Sequence, residues 1–200
     1  MLITNNYQLI LASTSAIRKK ILADAGLKFL VKAPLFDEDL GKKKFKNISP
    51  KKLAIHLAKE KALSISKHFP NACVIGSDQV CEFLNKEIPK SKDAADAFLQ
   101  LKKFNGKTHL QNNAVVIAFN NKIIFENFSS VVLKMRRLKI AEIKNYVDYD
   151  QPLGCAGSYK YESLGKHLFE KVTGDYYAVL GLAIQPLLNF LHQKKIIKIK

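Results

Sequence analysis

The chain has 200 residues, enough for one large domain or two small lobes sharing a core, and 48% of them are hydrophobic, as is ordinary for a globular protein. No apolar run reaches the ~20 residues that span a bilayer, and the N-terminus lacks a signal peptide's charged start and long apolar core, so a cytoplasmic protein without membrane contact is expected. A formal charge of +16 favours anionic partners, but the lysines are spread along the whole chain with no helix-turn-helix, zinc-finger or RNA-recognition signature, which makes nucleic acid a poor candidate without excluding it.

Leu9-Ile10-Leu11-Ala12 predicts a short buried strand, Ser13-Thr14-Ser15 a hydroxyl-rich turn, and the residues that follow a helix. Ser15 suits the N-cap and Gly26 the stop, with Ile17, Ile21, Leu22 and Ala25 on one face. Arg18, Lys19 and Lys20 crowd the positive end of the helix dipole, where acids are preferred. Either this is a solvated basic start, or an anion docks there on free N–H groups, hydroxyls and Arg18.

A second strand is expected over residues 28–32. The carboxylates Asp37, Glu38 and Asp39 are either a solvated acidic loop or hard oxygen ligands suited to Mg²⁺ or Mn²⁺. Lysine-rich residues 41–47 suggest a mobile surface loop. Ser49-Pro50 opens a helix to about Lys67, with Leu53, Ala54, Leu57, Ala58 and Ile65 on one face. Lys61 falls in the middle of that face, so it must snorkel or meet an anion, whereas Glu60 points away.

Residues 72–75 predict a buried strand with Gly76-Ser77-Asp78-Gln79 at its C-terminal end, where open α/β sheets bind ligands. Asp78 is a metal ligand or general base, or a turn residue; the Gln79 amide could read a base edge. Residues 86–90 suggest a loop or short hairpin segment, and Ser91 caps a helix carrying Ala94, Ala97, Phe98, Leu101 and Phe104 inward to Gly106. Residues 108–119, 122–128 and 129–135 are β-rich, with Asn120-Asn121 as a hairpin turn, so a partly antiparallel sheet extends the βα start.

A short helix is expected over 140–146. Gly154-Cys155-Ala156-Gly157-Ser158 is either a tight turn or a slim loop that lets a ligand approach, lined by Tyr159, Lys160, Tyr161 and Glu162. Residues 168–169 begin a short core segment, 173–175 a turn, 177–182 a buried strand, 186–192 the last helix and 194–200 a basic tail. The odd number of cysteines (Cys73, Cys81, Cys155), without metal spacing, argues against disulfides or zinc. His56, His68, His109, His167 and His192 also lack metal spacing and suit surface or capping roles.

Taken together, the segments from Leu9 to about Leu191 resemble the Maf family of nucleoside triphosphate pyrophosphatases. Leu9-Ile10-Leu11-Ala12-Ser13-Thr14-Ser15 with Arg18 is similar to that family's start motif, and Glu60-Lys61-Ala62, Ile75-Gly76-Ser77-Asp78 and Gly181-Leu182 follow in its order. Ser77-Asp78-Gln79-Val80-Cys81 and Cys155-Ala156-Gly157-Ser158 look like the branch acting on 7-methyl-GTP, while the dTTP/UTP branch has a threonine after the aspartate and a Lys-Ala-Gly-Gly loop. The resemblance implies a single Maf-like domain over 1–200: an α/β fold with a mixed sheet flanked by helices, as in inosine-triphosphate pyrophosphatases, and two lobes around a central cleft. It further implies that Ser13, Arg18, Lys61 and Lys90 hold the triphosphate and that Glu38 and Asp78 bind a divalent metal cation. Asp78 would be the catalytic acid–base residue, with Ile17, Gln79 and Glu162 at specificity positions. Position 17 is often tryptophan in the 7-methyl-GTP branch, and Pro89-Lys90-Ser91 stands where Gly-Lys-Pro is usual. A homodimer that removes modified nucleotides before their incorporation into nucleic acids is the implied role. Two alternatives stay open: a pyrophosphatase for another base, and a non-enzymatic regulator of septum formation.

Overall fold

The computed structural model describes residues 2–4, 7–45 and 48–199. A mixed sheet of seven strands runs through it. Strand β2 (Gln8–Ala12) lies between β3 (Leu30–Lys32) and β4 (Ala72–Phe83), parallel to both, with Leu11 opposite Val31 and Ile75. From β4 onward the sheet turns antiparallel through β6 (Thr108–Phe119), β7 (Lys122–Met135) and β8 (Phe169–Thr173), while β5 (Lys86–Ile88) folds back onto the far end of β4. A separate pair joins β1 (Leu2–Thr4) to β9 (Ile197–Ile199).

Alternation of side chains along the strands makes two cores, one on each face. Leu9, Leu11, Cys73 and Ile75 pack against helix α1 (Ala16–Asp24) and helix α7 (Ile184–Gln193). Ile10, Ala12, Val74 and Val80 pack against helix α3 (Pro50–Ser66), whose N-cap is Ser49 and whose first residue is the predicted proline. Over the antiparallel half, helices α4 (Ala94–Phe104) and α5 (Ile140–Asp150) close a third core around Phe83, Leu133 and Met135. Among the described residues no helix is long and apolar enough to cross a membrane.

Several expectations need correction. The strand expected over 72–75 continues to Phe83, because facing elements satisfy the polar residues at its middle. The segments 122–128 and 129–135 form one strand: Ser130 donates to Asn112 Oδ1 at 2.9 Å, so the serines do not interrupt it. Residues 177–182 are not a strand. Asp175 Oδ1 accepts from Ala178 N at 2.6 Å and starts the short helix α6 (Tyr176–Val179). Asp93, not Ser91, caps α4, accepting from Asp96 N at 2.8 Å. The expected loop over 41–47 is helical through Lys44 as part of α2 (Glu38–Lys44), and residues 46 and 47 lie outside those described. The expected basic tail over 194–200 contains strand β9, and Ile196 and Ile197 are buried; residue 200 lies outside those described. His109 is a core residue, stacked on Phe104 at 4.4 Å with Nε2 3.0 Å from the Tyr159 hydroxyl. All three cysteines are free thiols.

Candidate active site

Strand β2 stops at Ala12 while β4 runs on, and the gap between them opens a site at the carboxyl end of the parallel strands. The turn that follows β2 is tightly wired. Ser13 Oγ accepts from Ser15 N at 3.2 Å and from Arg18 Nη1 at 3.3 Å, which leaves its own hydrogen to donate elsewhere. Ser15 Oγ caps α1 by accepting from Arg18 N at 3.5 Å. Arg18 Nε donates to the Gly181 carbonyl at 2.8 Å. Burial lowers the pKa of this guanidinium, and Asp78 and Glu38 pull it back up. Gly181 adopts φ +99 and its carbonyl also lies 2.9 Å from Ser77 Oγ, so one glycine ties α1 and β4 to the segment between α6 and α7.

The opposite wall depends on another glycine. A Cβ on Gly76 would lie 2.3 Å from the Ala58 carbonyl and 2.8 Å from Ala62 Cβ. Its absence lets α3 close onto β4, one helical turn below Lys61. Two residues along β4 on the same face, Asp78 is only 4% exposed. Its Oδ1 is 2.5 Å from Lys61 Nζ, and Glu38 Oε2 is 2.9 Å from the same nitrogen. Lys90 Nζ stands 3.8 Å from the other Glu38 oxygen. Burial alone would raise the Glu38 pKa, but Lys61, Lys90 and Lys42 overcome it and hold the carboxyl at about 2. Lys61 does not snorkel: it is buried between two carboxylates.

Beside Asp78 on the other face, Gln79 Nε2 donates to the carbonyls of Ala178 at 3.0 Å and Val179 at 2.7 Å. Both its amide hydrogens are engaged, so only Oε1 is available to a ligand. Asn113 on β6 fixes the same strand, donating to the Asp78 carbonyl at 3.0 Å while its Oδ1 accepts from Ala183 N at 3.0 Å.

These groups face one pocket of about 400 Å³. Ser13, Arg18, Glu38, Lys61, Asp78 and Lys90 supply its charged and hydroxylic lining. Ile17, Gln79, Cys155, Ala156, Tyr159, Tyr161 and Glu162 line the rest of it. Other expected residues turn elsewhere: Asp37 Oδ1 accepts from Leu40 N at 3.0 Å, Ser158 Oγ donates to Gln100 Oε1 at 2.8 Å, and Lys160 Nζ donates to the Asp150 carbonyl at 2.6 Å. Sequence reasoning missed Phe36, Gln111 and the Val179-Leu180 wall. Gln111 carries a signal: it opens a run of three amide side chains, Gln111-Asn112-Asn113, directly ahead of an apolar stretch. Its Nε2 donates to the Ala156 carbonyl at 2.7 Å and to the Tyr159 hydroxyl at 2.8 Å, which shapes the small-residue loop.

The lining constrains the chemistry. Burial raises the Cys155 pKa, so this thiol stays protonated and is a poor nucleophile. Ser13 Oγ accepts from a cation and has no base, so it is not activated for attack. Among the described residues no group of three or more His, Cys, Asp or Glu side chains could hold a metal by itself. Two carboxylates converging on one cation do meet what Mg²⁺ needs when a substrate phosphate completes its shell. Buried cations, paired acids and backbone-anchored hydroxyls together suit a polyphosphate.

Comparison with known proteins agrees. A family model described as Maf-like protein matches residues 8–194. The chain belongs to the Maf family. A Bradyrhizobium diazoefficiens protein named nucleoside triphosphate pyrophosphatase is 38% identical over 193 residues, 96% of each chain. Proteins named 7-methyl-GTP pyrophosphatase resemble this Maf-like chain to a similar degree. The one from Bartonella quintana is 39% identical over 193 residues, covering 94% of this chain and 96% of its own. That from Rhizobium johnstonii is 36% identical over 190 residues, covering 93% and 96%. The mixed sheet flanked by helices agrees with the family's fold.

Proposed function

We propose that this Maf-like chain is a nucleoside triphosphate pyrophosphatase, a hydrolase of acid anhydrides, and that its substrate is 7-methyl-GTP. The observation that carries the reading is the meeting of Arg18, Lys61, Glu38 and Asp78, distant in sequence, in one pocket. Products are 7-methyl-GMP and pyrophosphate, formed by attack of water on the α-phosphorus.

Ser13 donates its free hydroxyl hydrogen to a phosphate oxygen. Arg18, held by Gly181, presents its remaining N–H groups to the triphosphate. As the polyanion enters, Lys61 turns from the carboxylates to the phosphates, and Lys90, half in solvent at the rim, follows. Charge on the departing pyrophosphate is stabilised by these cations. Glu38 and Asp78, freed of Lys61, would hold Mg²⁺ or Mn²⁺. Such an ion, when bound, supplies polarisation of a phosphoryl oxygen and a lowered pKa for the attacking water. Asp78 orients that water and takes its proton.

Three features support the base. Gln79 offers only an acceptor, which suits an N–H edge such as that of guanine. Glu162 puts an exposed carboxylate on the lining, which suits a cationic base. The Cys155-Ala156-Gly157-Ser158 loop resembles that of the 7-methyl-GTP branch, and two relatives at 36% and 39% identity carry that name. In this reading residues 1–200 form one domain of two lobes around the pocket, and the protein works as a cytoplasmic homodimer that clears modified nucleotides. The test is a nucleotide panel with Mg²⁺ or Mn²⁺, scored for pyrophosphate. The highest kcat/KM is expected for 7-methyl-GTP; no pyrophosphate from any nucleotide overturns the assignment, and a preference for dTTP or UTP overturns the base.

A further inference from the structure

Position 17 presents an isoleucine to the pocket, which offers a purine dispersion contacts but no π face. Three aromatic rings line the pocket: Phe36, Tyr159 and Tyr161. Phe36 belongs to the core under α3, on the side of Glu38 and Lys61. Tyr159 is only 5% exposed, and its ring is enclosed by Phe169 at 4.8 Å and His109 at 5.6 Å. Its hydroxyl is fixed by Gln111 and His109, so it is a pillar of the wall rather than a free surface.

Tyr161 differs from both. It is half-buried and packs onto the same core as Ile17. Phe169 at 6.0 Å and 48°, and Tyr176 at 5.9 Å and 60°, stand tilted to its ring and hold it in place. No side-chain hydrogen bond among the described residues ties its hydroxyl, so ring packing alone sets its position. The next residue, Glu162, adds a carboxylate to the same pocket lining.

We propose that Tyr161 supplies the stacking face for the nucleobase, a role that Ile17 cannot fill, and that with Glu162 it favours a positively charged purine. The proposal rests on the pyrophosphatase reading and specifies how that site selects its base. A purine ring carrying a delocalised positive charge is drawn to an electron-rich phenol face beyond ordinary stacking. Ring-on-base contacts removed by truncation typically weaken binding by about 10- to 100-fold. A neutral purine stacks on the same face but gains nothing from the ring quadrupole or from Glu162.

The test compares KM and kcat for 7-methyl-GTP and GTP in the full chain and in Y161F, Y161L and the double variant I17W/Y161L, with thermal unfolding to verify that each folds. Y161L should raise KM for 7-methyl-GTP by about tenfold or more, lower kcat much less, and erode the preference over GTP. Y161F, which keeps the ring, should show a far smaller rise. I17W/Y161L, which returns an aromatic face from the other position, should recover most of the lost affinity. An unchanged KM in folded Y161L overturns the proposal. So does an equal rise for both nucleotides with no recovery in the double variant, because that is the signature of a structural role. Wild-type protein that releases pyrophosphate from no nucleotide overturns the activity instead, and one that prefers GTP overturns the cationic-base selection.

Discussion

Replacing Lys61 by methionine keeps an unbranched side chain one atom shorter and removes the cation that bridges Glu38 and Asp78. The structure sets the scale. A unit charge about 3 Å from another at an effective dielectric constant near 20 interacts by about 5 kcal/mol before desolvation is subtracted. Lys61 has two such partners, at 2.5 and 2.9 Å. Removing one member of a buried pair costs about 3 kcal/mol or more, because its partner stays buried and uncompensated. In K61M Asp78 loses its ion-pair partner and Glu38 is left to the more distant Lys90 at 3.8 Å; in D78N the lysine keeps Glu38. K61M should therefore destabilise the protein by about 3 kcal/mol and D78N by roughly half that. The double variant should cost less than the sum of the two by at least about 1 kcal/mol. Urea unfolding at pH 7 on all four proteins measures the cycle. Equal costs for the two single variants, or strict additivity, would refute the wiring of this triad.

Four further outcomes follow from the geometry. D78N should fold yet lose turnover by about a hundredfold or more, the usual weight of a positioned base; a steady-state assay with near-normal kcat contradicts that role. Gly76→Ala should cost about 2 kcal/mol through overpacking against the Ala58 carbonyl and should lower activity by shifting Lys61, read by thermal unfolding and pyrophosphate release. Burial lowers the His109 pKa to about 4 from its ordinary 6.5, so the unfolded chain binds the extra proton between those values. Stability should thus be whole above pH 6.5 and fall by about 3 kcal/mol as pH drops towards 4. Glu38, held at about 2, adds its own loss only below its ordinary 4.5. His109→Gln should flatten the upper part of that slope in urea titrations; an unchanged slope contradicts it. Leu84 holds φ +53 in the β4–β5 turn while 76% exposed, a conformation that asparagine tolerates better. Leu84→Asn should raise Tm by roughly 2–4 °C, and a lower Tm contradicts the turn's strain.

What could be read from sequence was read through misfits. Arg18 at a helix start and Lys61 inside an apolar stripe each violate a local rule, and each turns inward to the same pocket. Asp78 was legible as a functional residue but not in its setting. A run of Ser77-Asp78-Gln79 resembles the end of a strand, and only α3 on one face and α6 on the other make it a strand interior. The same blindness to distant partners hid strand β9, which forms because β1 lies beside it, and divided β7 at serines that Asn112 accommodates. Residues 177–182 read as a strand because so short an apolar run carries no readable period; Asp175 as an N-cap is the sign of the helix. Phe36 and Leu180 gave no signal, since a pocket wall made by remote segments leaves no spacing in the chain.

Hydrolysis of 7-methyl-GTP in ¹⁸O-labelled water, with Mg²⁺ and with D78N alongside, tests the central claim most directly. Label should enter the monophosphate and not the pyrophosphate, and D78N should be nearly inert. Label in orthophosphate or pyrophosphate, or wild-type turnover by D78N, contradicts attack on the α-phosphorus at this pocket.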